Sequence, residues 1–462
     1  MPHRHSFCAV PPAPHVIAQL YADYKRYTEA VDISFHDYLQ GIGFVDRQKP
    51  LTGRDQGRSL AMDGGAELVS VPKHRIVGEL RLIVLLVDFA DNVGKRPRHE
   101  YEDMLFSHNS FLTGSLRDFY AEVSRGQVEV TGSVHGWLRM PQPYSYYVNN
   151  QSGIGSYPQN AQKLAEHALQ AALEEQVEFS VALDKLNQGV ITGLFIVHAG
   201  RGAEVFSSVP LQHQNIWSHK DDLHQAVQVR EGLFAANYLL VPEDCRTGVC
   251  AHELGHLAFQ WDDFYDPNYD KDGSEWDGAG NWDLMAGGSW NDGGNTPAHP
   301  AGLHKLQHGW VEVQSIAKST ANIVLPPYNH PHATVLQIRG PAFSKTQSLV
   351  LENRVKQGFD TKLPGFGLLV WRVDTSLEEV NPDQPAMILV QADGKHDLER
   401  PGDFNEGDTG DPFPGVAKVV SLGDKGNIST SFPGPQRSGI SLSNIRIDPV
   451  SSEARFDVTI AP

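Results

Sequence analysis

Apolar and polar positions divide this chain into stretches of different rhythm. In HVIAQLYADYKRYTEAV, Val16, Leu20, Tyr24 and Tyr27 recur at helical spacing after a Pro-rich start, which predicts a lead helix. The polar, Gly-containing stretch RQKPLTGRDQGRSLAMDGGAE reads as a linker. From about residue 76 the pattern becomes mixed α/β. LRLIVLLVDF predicts a buried strand ending at Asp88, LTGSLRDFYAEVS a helix with Leu116, Phe119 and Val123 on one face, and QVEVTGSVHGW an alternating strand. SYPQNAQKLAEHALQAALEEQ predicts a helix starting near Ser156 and Pro158, ITGLFIVHAG a second buried strand, and VCAHELGHLAFQW a third helix. Residues 262–310 are rich in Gly, Asp, Asn and Trp with little periodicity, and a loop that long in a compact domain is usually functional. From about 320, short alternating runs (TANIVLP, ATVLQIRG, SLVLENR, GLLVWRVD, AMILVQAD, ARFDVTI) lie between Pro/Gly turns, as in an antiparallel β domain.

The 462 residues exceed one ordinary domain. The rhythm divides them into a helical lead or pro-segment (1–75), an α/β domain (76–318) and a C-terminal β domain (319–462). A formal net charge of −18 argues against an electrostatic grip on nucleic acid. The longest apolar run, LIVLLV, falls far short of the ~20 residues that span a bilayer. MPHRHSFCAVPP shows no apolar core of a secretory signal. Three cysteines make no disulfide framework, although Cys245 and Cys250 are close enough to close a small loop. Oligomeric state is not legible.

The chemistry concentrates at His252-Glu253-Leu254-Gly255-His256, which fits H-E-x-x-H. Residues four apart share a helix face, so both imidazoles can reach one zinc, with Glu253 beside it to take a proton from water. A catalytic zinc needs a third protein ligand and an open position. In a metzincin-like arrangement that ligand falls ten residues after the first His, at Asp262. Phe259 stands where a turn glycine is usual, so a turn one residue longer would present Asp263 instead. Both aspartates are candidates, with Asp263 favoured.

HELGH, WDDFYD and NWDLMAGGSWNDGG, in that order, resemble the M6, immune-inhibitor-A-like metallopeptidases. So do LIVLLVDFAD and SLRDFYAEVSRGQVEVTG upstream, and LVLENRVKQGFDTKLPGFGLLVWRVD downstream. The resemblance covers roughly 75–460. It implies an α+β fold: a metzincin-like α/β zinc-peptidase domain followed by an antiparallel β-sandwich-like domain. It further implies an endopeptidase acting on proteins or peptides, export from the cell, and Met285 as a Met-turn packed beneath the metal. Tyr265 or His299 would steady the oxyanion.

Asp270, Asp272 and Glu275 resemble a calcium loop, and Asp403, Glu406, Asp408 and Asp411 form a second acidic candidate. Cys8 is a candidate for a thiolate that holds the open zinc position and keeps the enzyme latent. His198, His219, His299, His304 and His308 lack ligand spacing and are expected to be packed or on the surface. Two readings from other classes stand beside the peptidase: an idle scaffold stapled by structural zinc, and a zinc hydrolase acting on a non-peptide bond.

Overall fold

The computed structural model describes residues 7–28, 31, 33–44, 75–266, 277–377, 386–399 and 405–461. The candidate calcium residues Asp270, Asp272 and Glu275, the whole 47–67 linker, and Asp403 lie outside them.

The first sheet contains β1 (Cys8–Ala9), β2 (Gly78–Asp88), β3 (Val128–Arg139), β4 (Leu194–His198), β5 (His219–Arg230) and β6 (Leu233–Pro242). Their order is β1-β5-β6-β4-β2-β3. The β2, β3, β4 and β6 strands run parallel, and β5 turns back antiparallel on β6. In β2, Leu82, Val84 and Leu86 pack on one side of the sheet and Ile83, Leu85 and Val87 on the other. Burial on both faces explains the unbroken apolar run, as in parallel sheets generally.

The helices are α1 (Pro14–Thr28), α2 (Phe35–Ile42), α3 (Arg98–Phe106), α4 (Leu116–Val123), α5 (Tyr144–Val148), α6 (Ala161–Glu174), α7 (Val209–His213), α8 (Thr247–Phe259) and α9 (Gly302–His308). In the lead helix α1, Val16, Ile17 and Leu20 face the core, while Tyr27 is exposed. The α6 helix begins later than Ser156 and Pro158 suggest, because Asn160 is its cap and accepts from the Lys163 amide at 3.2 Å. Every residue of α8 is buried, so this helix has no polar face.

The remaining strands are β7 (Glu312–Ile316), β8 (Thr320–Leu325), β9 (Thr334–Ile338), β10 (Gln347–Arg354), β11 (Gly367–Asp374), β12 (Met387–Leu389), β13 (Ile440–Ile447) and β14 (Ala454–Ile460). They form a five-stranded sheet, β12-β11-β10-β9-β7, and a three-stranded sheet, β13-β14-β8. All six alternating runs are strands. The five-stranded sheet is not wholly antiparallel, since β7 pairs parallel with β9. One face of it, through Val350, Leu369, Trp371 and Val373, joins the same core as α4 and α8. The other face packs Leu349, Leu351, Leu368 and Val370 against Leu442, Phe456 and Val458 of the smaller sheet. The molecule is therefore α+β, with the second sheet sharing the first core. No helix among the described residues is long and apolar enough to cross a membrane.

Candidate metal centre

The α8 helix places His252 and His256 one turn apart on one face, with both rings fully buried. Each ring is oriented through Nδ1: His252 toward the Leu284 carbonyl (3.0 Å) and His256 toward the Trp261 carbonyl (2.6 Å). A carbonyl only accepts, so Nδ1 carries the proton and each Nε2 presents a lone pair to the same space. The two Nε2 atoms are 3.2 Å apart.

The helix ends at Gln260, which adopts a left-handed conformation (φ 56°, ψ 40°). This supplies the positive φ expected of a turn glycine, one residue beyond Phe259. The longer turn brings in Asp263: its Oδ1 lies 3.0 Å from His256 Nε2 and 3.2 Å from His252 Nε2. Asp262 is also buried but stands outside this cluster.

Cys8 completes the constellation. Ligand atoms of Cys8, His256 and Asp263 all lie within 4.8 Å of one another. Two imidazole nitrogens and a carboxylate oxygen converging in a dry pocket, with a thiol beside His256 and Asp263, call for a shared proton or a cation between them. Zinc bonds of 2.0–2.1 Å separate tetrahedral ligands by roughly 3.3 Å, close to the spacings here. The donor set therefore fits a zinc ion. Desolvation works to raise the Asp263 carboxyl, yet His256 and then His252 beside it hold it below its ordinary value. Neither oxygen of the fully buried Glu253 has a hydrogen-bond partner. Burial, with Asp263 and Glu204 nearby, pushes its carboxyl well above the usual range against the pull of His256.

Met285 is fully buried and packs against α8 at Gly255. Its sulfur would lie 2.8 Å from a Cβ added at Gly255. The Asp283 carboxylate accepts from the Met285 amide (2.9 Å), and the Met285 carbonyl accepts from the Phe264 amide (2.8 Å), tying this turn to the Asp263 loop.

The segment Phe7–Ala13, which brings Cys8 beside His256 and Asp263, is buried throughout. The β1 strand pairs antiparallel with the edge strand β5, Cys8 opposite Lys220 and Ala9 opposite His219. The Val10 amide donates to the Ser218 carbonyl (3.2 Å) and the Ala13 amide to the Glu204 carbonyl (2.9 Å). Indole donors of Trp217 and Trp290 reach the Val10 and Pro11 carbonyls, each at 2.9 Å, and the Tyr265 hydroxyl donates to the Ala9 carbonyl. Sequence reasoning missed Trp217 and the β5 edge, because HKDDLHQAVQVR carries no apolar alternation.

His198, His219, His299, His304 and His308 are all buried, and none joins the cluster. His299 Nε2 is instead 2.7 Å from Glu122. Cys245 and Cys250 are buried and unbridged. In the second acidic region, Asp393, Asp397 and Asp408 converge, with the Lys395 ammonium among them at 2.7, 3.8 and 3.1 Å. Asp411 turns away from that group, accepting from the Trp282 indole (3.0 Å) and the Asp408 amide (2.8 Å).

A mixed sheet whose buried helix carries H-E-x-x-H, its two histidines meeting an aspartate, is the arrangement of a metallopeptidase. The model described as "Immune inhibitor A peptidase M6, catalytic domain" matches residues 81–316, just over half of the chain. The chain belongs to that family. It is 29% identical over 294 residues to the pre-pro-metalloprotease PrtV of Vibrio cholerae serotype O1 (strain M66-2), covering 53% of this chain and 30% of PrtV. It is 30% identical over 255 residues to immune inhibitor A of Bacillus thuringiensis subsp. alesti, covering 46% of this chain and 36% of that protein. The matched region thus spans about a third of the length of these curated relatives.

Proposed function

We propose that this chain is a zinc endopeptidase, with His252, His256 and Asp263 holding the metal and Glu253 as general base. The observation that carries this reading is the convergence of both Nε2 atoms and Asp263 Oδ1 within 3.0–3.2 Å, beside a buried glutamate that has no hydrogen-bond partner. Bound zinc supplies Lewis-acid polarisation and lowers the pKa of water toward ~7. Glu253 then takes a proton from water and returns it to the leaving nitrogen, work for which a dry carboxylate of raised basicity is suited. The open edge of β5, where β1 now pairs, offers an extended peptide backbone its hydrogen bonds. Residues 1–75 act as a pro-segment, 76–318 as a metzincin-like catalytic unit, and 319–462 as a sandwich-like β unit. Cys8 makes the form described here a latent one, since its sulfur stands among the metal donors.

That same sulfur favours a second reading. Four protein donors close a site, as in structural zinc. In a purely structural site, however, a buried Glu253 without a partner would be a cost with no return. Zinc content and casein hydrolysis of Cys8→Ala and Cys8→Ala/Glu253→Gln separate the two. We expect both variants to retain about one zinc, and the glutamine to lower hydrolysis by about 10²–10⁴-fold. Zinc retained by Cys8→Ala with no hydrolysis would establish the structural reading.

A further inference from the structure

The α9 helix sends one fully buried side chain, His304, between the two segments that complete the metal cluster. Its ring stacks on Trp261 (centroids 5.2 Å apart) and packs against Phe264 (5.0 Å), the residues on either side of Asp262 and Asp263. Its Nδ1 lies 3.5 Å from Oδ2 of the fully buried Asp283. The other oxygen of Asp283 accepts from the Met285 amide (2.9 Å) and so folds the turn that carries Leu284. Each donor of the cluster is one step from these contacts. The Trp261 carbonyl orients His256, the Leu284 carbonyl orients His252, and Asp263 lies between Trp261 and Phe264. The helix itself is anchored elsewhere: the neighbouring Lys305 places its ammonium 3.5 Å from the Tyr328 ring centre and 3.8 Å from Glu352 of β10. Packing alone does not account for the residue type. A phenylalanine would stack on Trp261 and Phe264 as well, whereas among the described residues neither ring nitrogen of His304 nor Asp283 Oδ2 has a hydrogen-bond partner. Polar atoms in a dry core cost stability. What the imidazole adds is a nitrogen facing the carboxylate that folds the Leu284–Met285 turn.

We propose that His304 is a positioning residue: through Trp261, Phe264 and Asp283 it fixes the Asp263 loop and the Leu284–Met285 turn against each other, and so sets the spacing of the three metal donors. This role presupposes the zinc reading given above. His252 and His256 share one helix, so α8 alone fixes their separation. Asp263 arrives on the loop after Gln260, and its oxygen stays 3.0–3.2 Å from both Nε2 atoms only if that loop is pinned. His304 pins it on both sides of the aspartate. The imidazole is not itself a donor, and its effect reaches the metal through the loop and through the carbonyls that orient the two rings.

Cobalt(II) titration of the full chain tests this, read by visible absorption of the bound ion and by competition with a chelating dye. The variants are His304→Phe, which keeps a stacking ring, Asp283→Asn, which keeps an oxygen for the Met285 amide, and the two combined. Val370→Ala, in the core between the two C-terminal sheets, controls for lost stability, with chemical denaturation run on every chain. His304→Phe and Asp283→Asn are each expected to weaken cobalt binding about 10–100-fold and to alter the cobalt spectrum. The double variant should bind no worse than the weaker single, because both changes break one contact. Val370→Ala should unfold more readily yet keep wild-type affinity and spectrum. Unchanged affinity and spectrum in His304→Phe, or losses that add in the double variant, overturn the positioning role and leave His304 a packed core residue. The same losses in Val370→Ala would overturn it too, since lost stability would then suffice. Where His304→Phe fails to fold, Asp283→Asn decides, and wild-type behaviour there overturns the proposal. A wild type that binds neither cobalt nor zinc would instead remove the metal reading on which this role depends.

Discussion

Gly255, inside H-E-L-G-H, shows how much one missing side chain settles at this centre. A Cβ there would sit 2.8 Å from the Met285 sulfur and 3.0 Å from the Trp261 ring. The Trp261 carbonyl orients His256, so pressure at Gly255 reaches the imidazole through the group that holds it. We expect Gly255→Ala to weaken zinc binding by about 10–100-fold, read by competition with a chelating dye. Unchanged affinity would show that Met285 and Trp261 yield freely. At this scale the sequence was legible where the constraint is local: His252 and His256 share one face of a helix by spacing alone. That Asp263 and not Asp262 lies beside the histidines depends on Gln260 turning left-handed, and several residue types can take that conformation. The carbonyls of Leu284 and Trp261 that orient the histidines are backbone atoms and leave no mark in residue type.

Secondary-structure elements divide similarly. The β2 strand and the α8 helix announce themselves through continuous burial. The β5 strand does not, since an edge strand has few apolar positions to reveal it, yet it is what holds the N-terminal segment in place. Two histidines at element ends set an acid limit on the fold. Burial pushes His198, at the end of β4, down to about 4 and His308, at the end of α9, down to about 3. Both are neutral in the folded protein, whereas the unfolded chain takes up protons near the ordinary value of about 6.5. Their contribution is therefore complete above about pH 6.5 and is lost as pH falls from there toward 4 and 3. Thermal unfolding should show Tm dropping between pH 7.5 and 5. The drop should be shallower in His198→Asn/His308→Gln, and an equal drop would remove these residues from the account.

Across the whole molecule, the alternating runs after residue 320 made the β region legible but hid its dependence on the rest. GLLVWRVD is buried on both faces because β11 serves two cores at once, and sequence rhythm does not show which partner covers which face. Arg354 on β10 makes the link polar as well as apolar. Its guanidinium pairs with Asp360 (2.7 Å) and donates to the Trp282 carbonyl (3.1 Å) and the His299 carbonyl (3.3 Å), on either side of the Met285 turn. A chain ending at Lys318 would lack Val335, Val350, Leu369 and Trp371 and leave the core they cover exposed, so calorimetry should find no cooperative unfolding transition. A transition like that of the full chain would show that residues 76–318 fold alone. Replacing Arg354 with Met leaves Asp360 buried without its partner, and should cost about 3–5 kcal/mol in chemical denaturation. A cost near zero would mean the link is not structural.

The central claim is that one metal ion sits among His252, His256 and Asp263. It is tested most directly by zinc titration of the wild type, Asp263→Ala and Asp262→Ala in competition with a chelating dye. The account predicts one zinc per wild-type chain, an unchanged affinity for Asp262→Ala, and for Asp263→Ala a loss beyond the roughly 100-fold that removing a ring-orienting partner costs. A wild type that binds no zinc, or a loss that follows Asp262 instead, would contradict it.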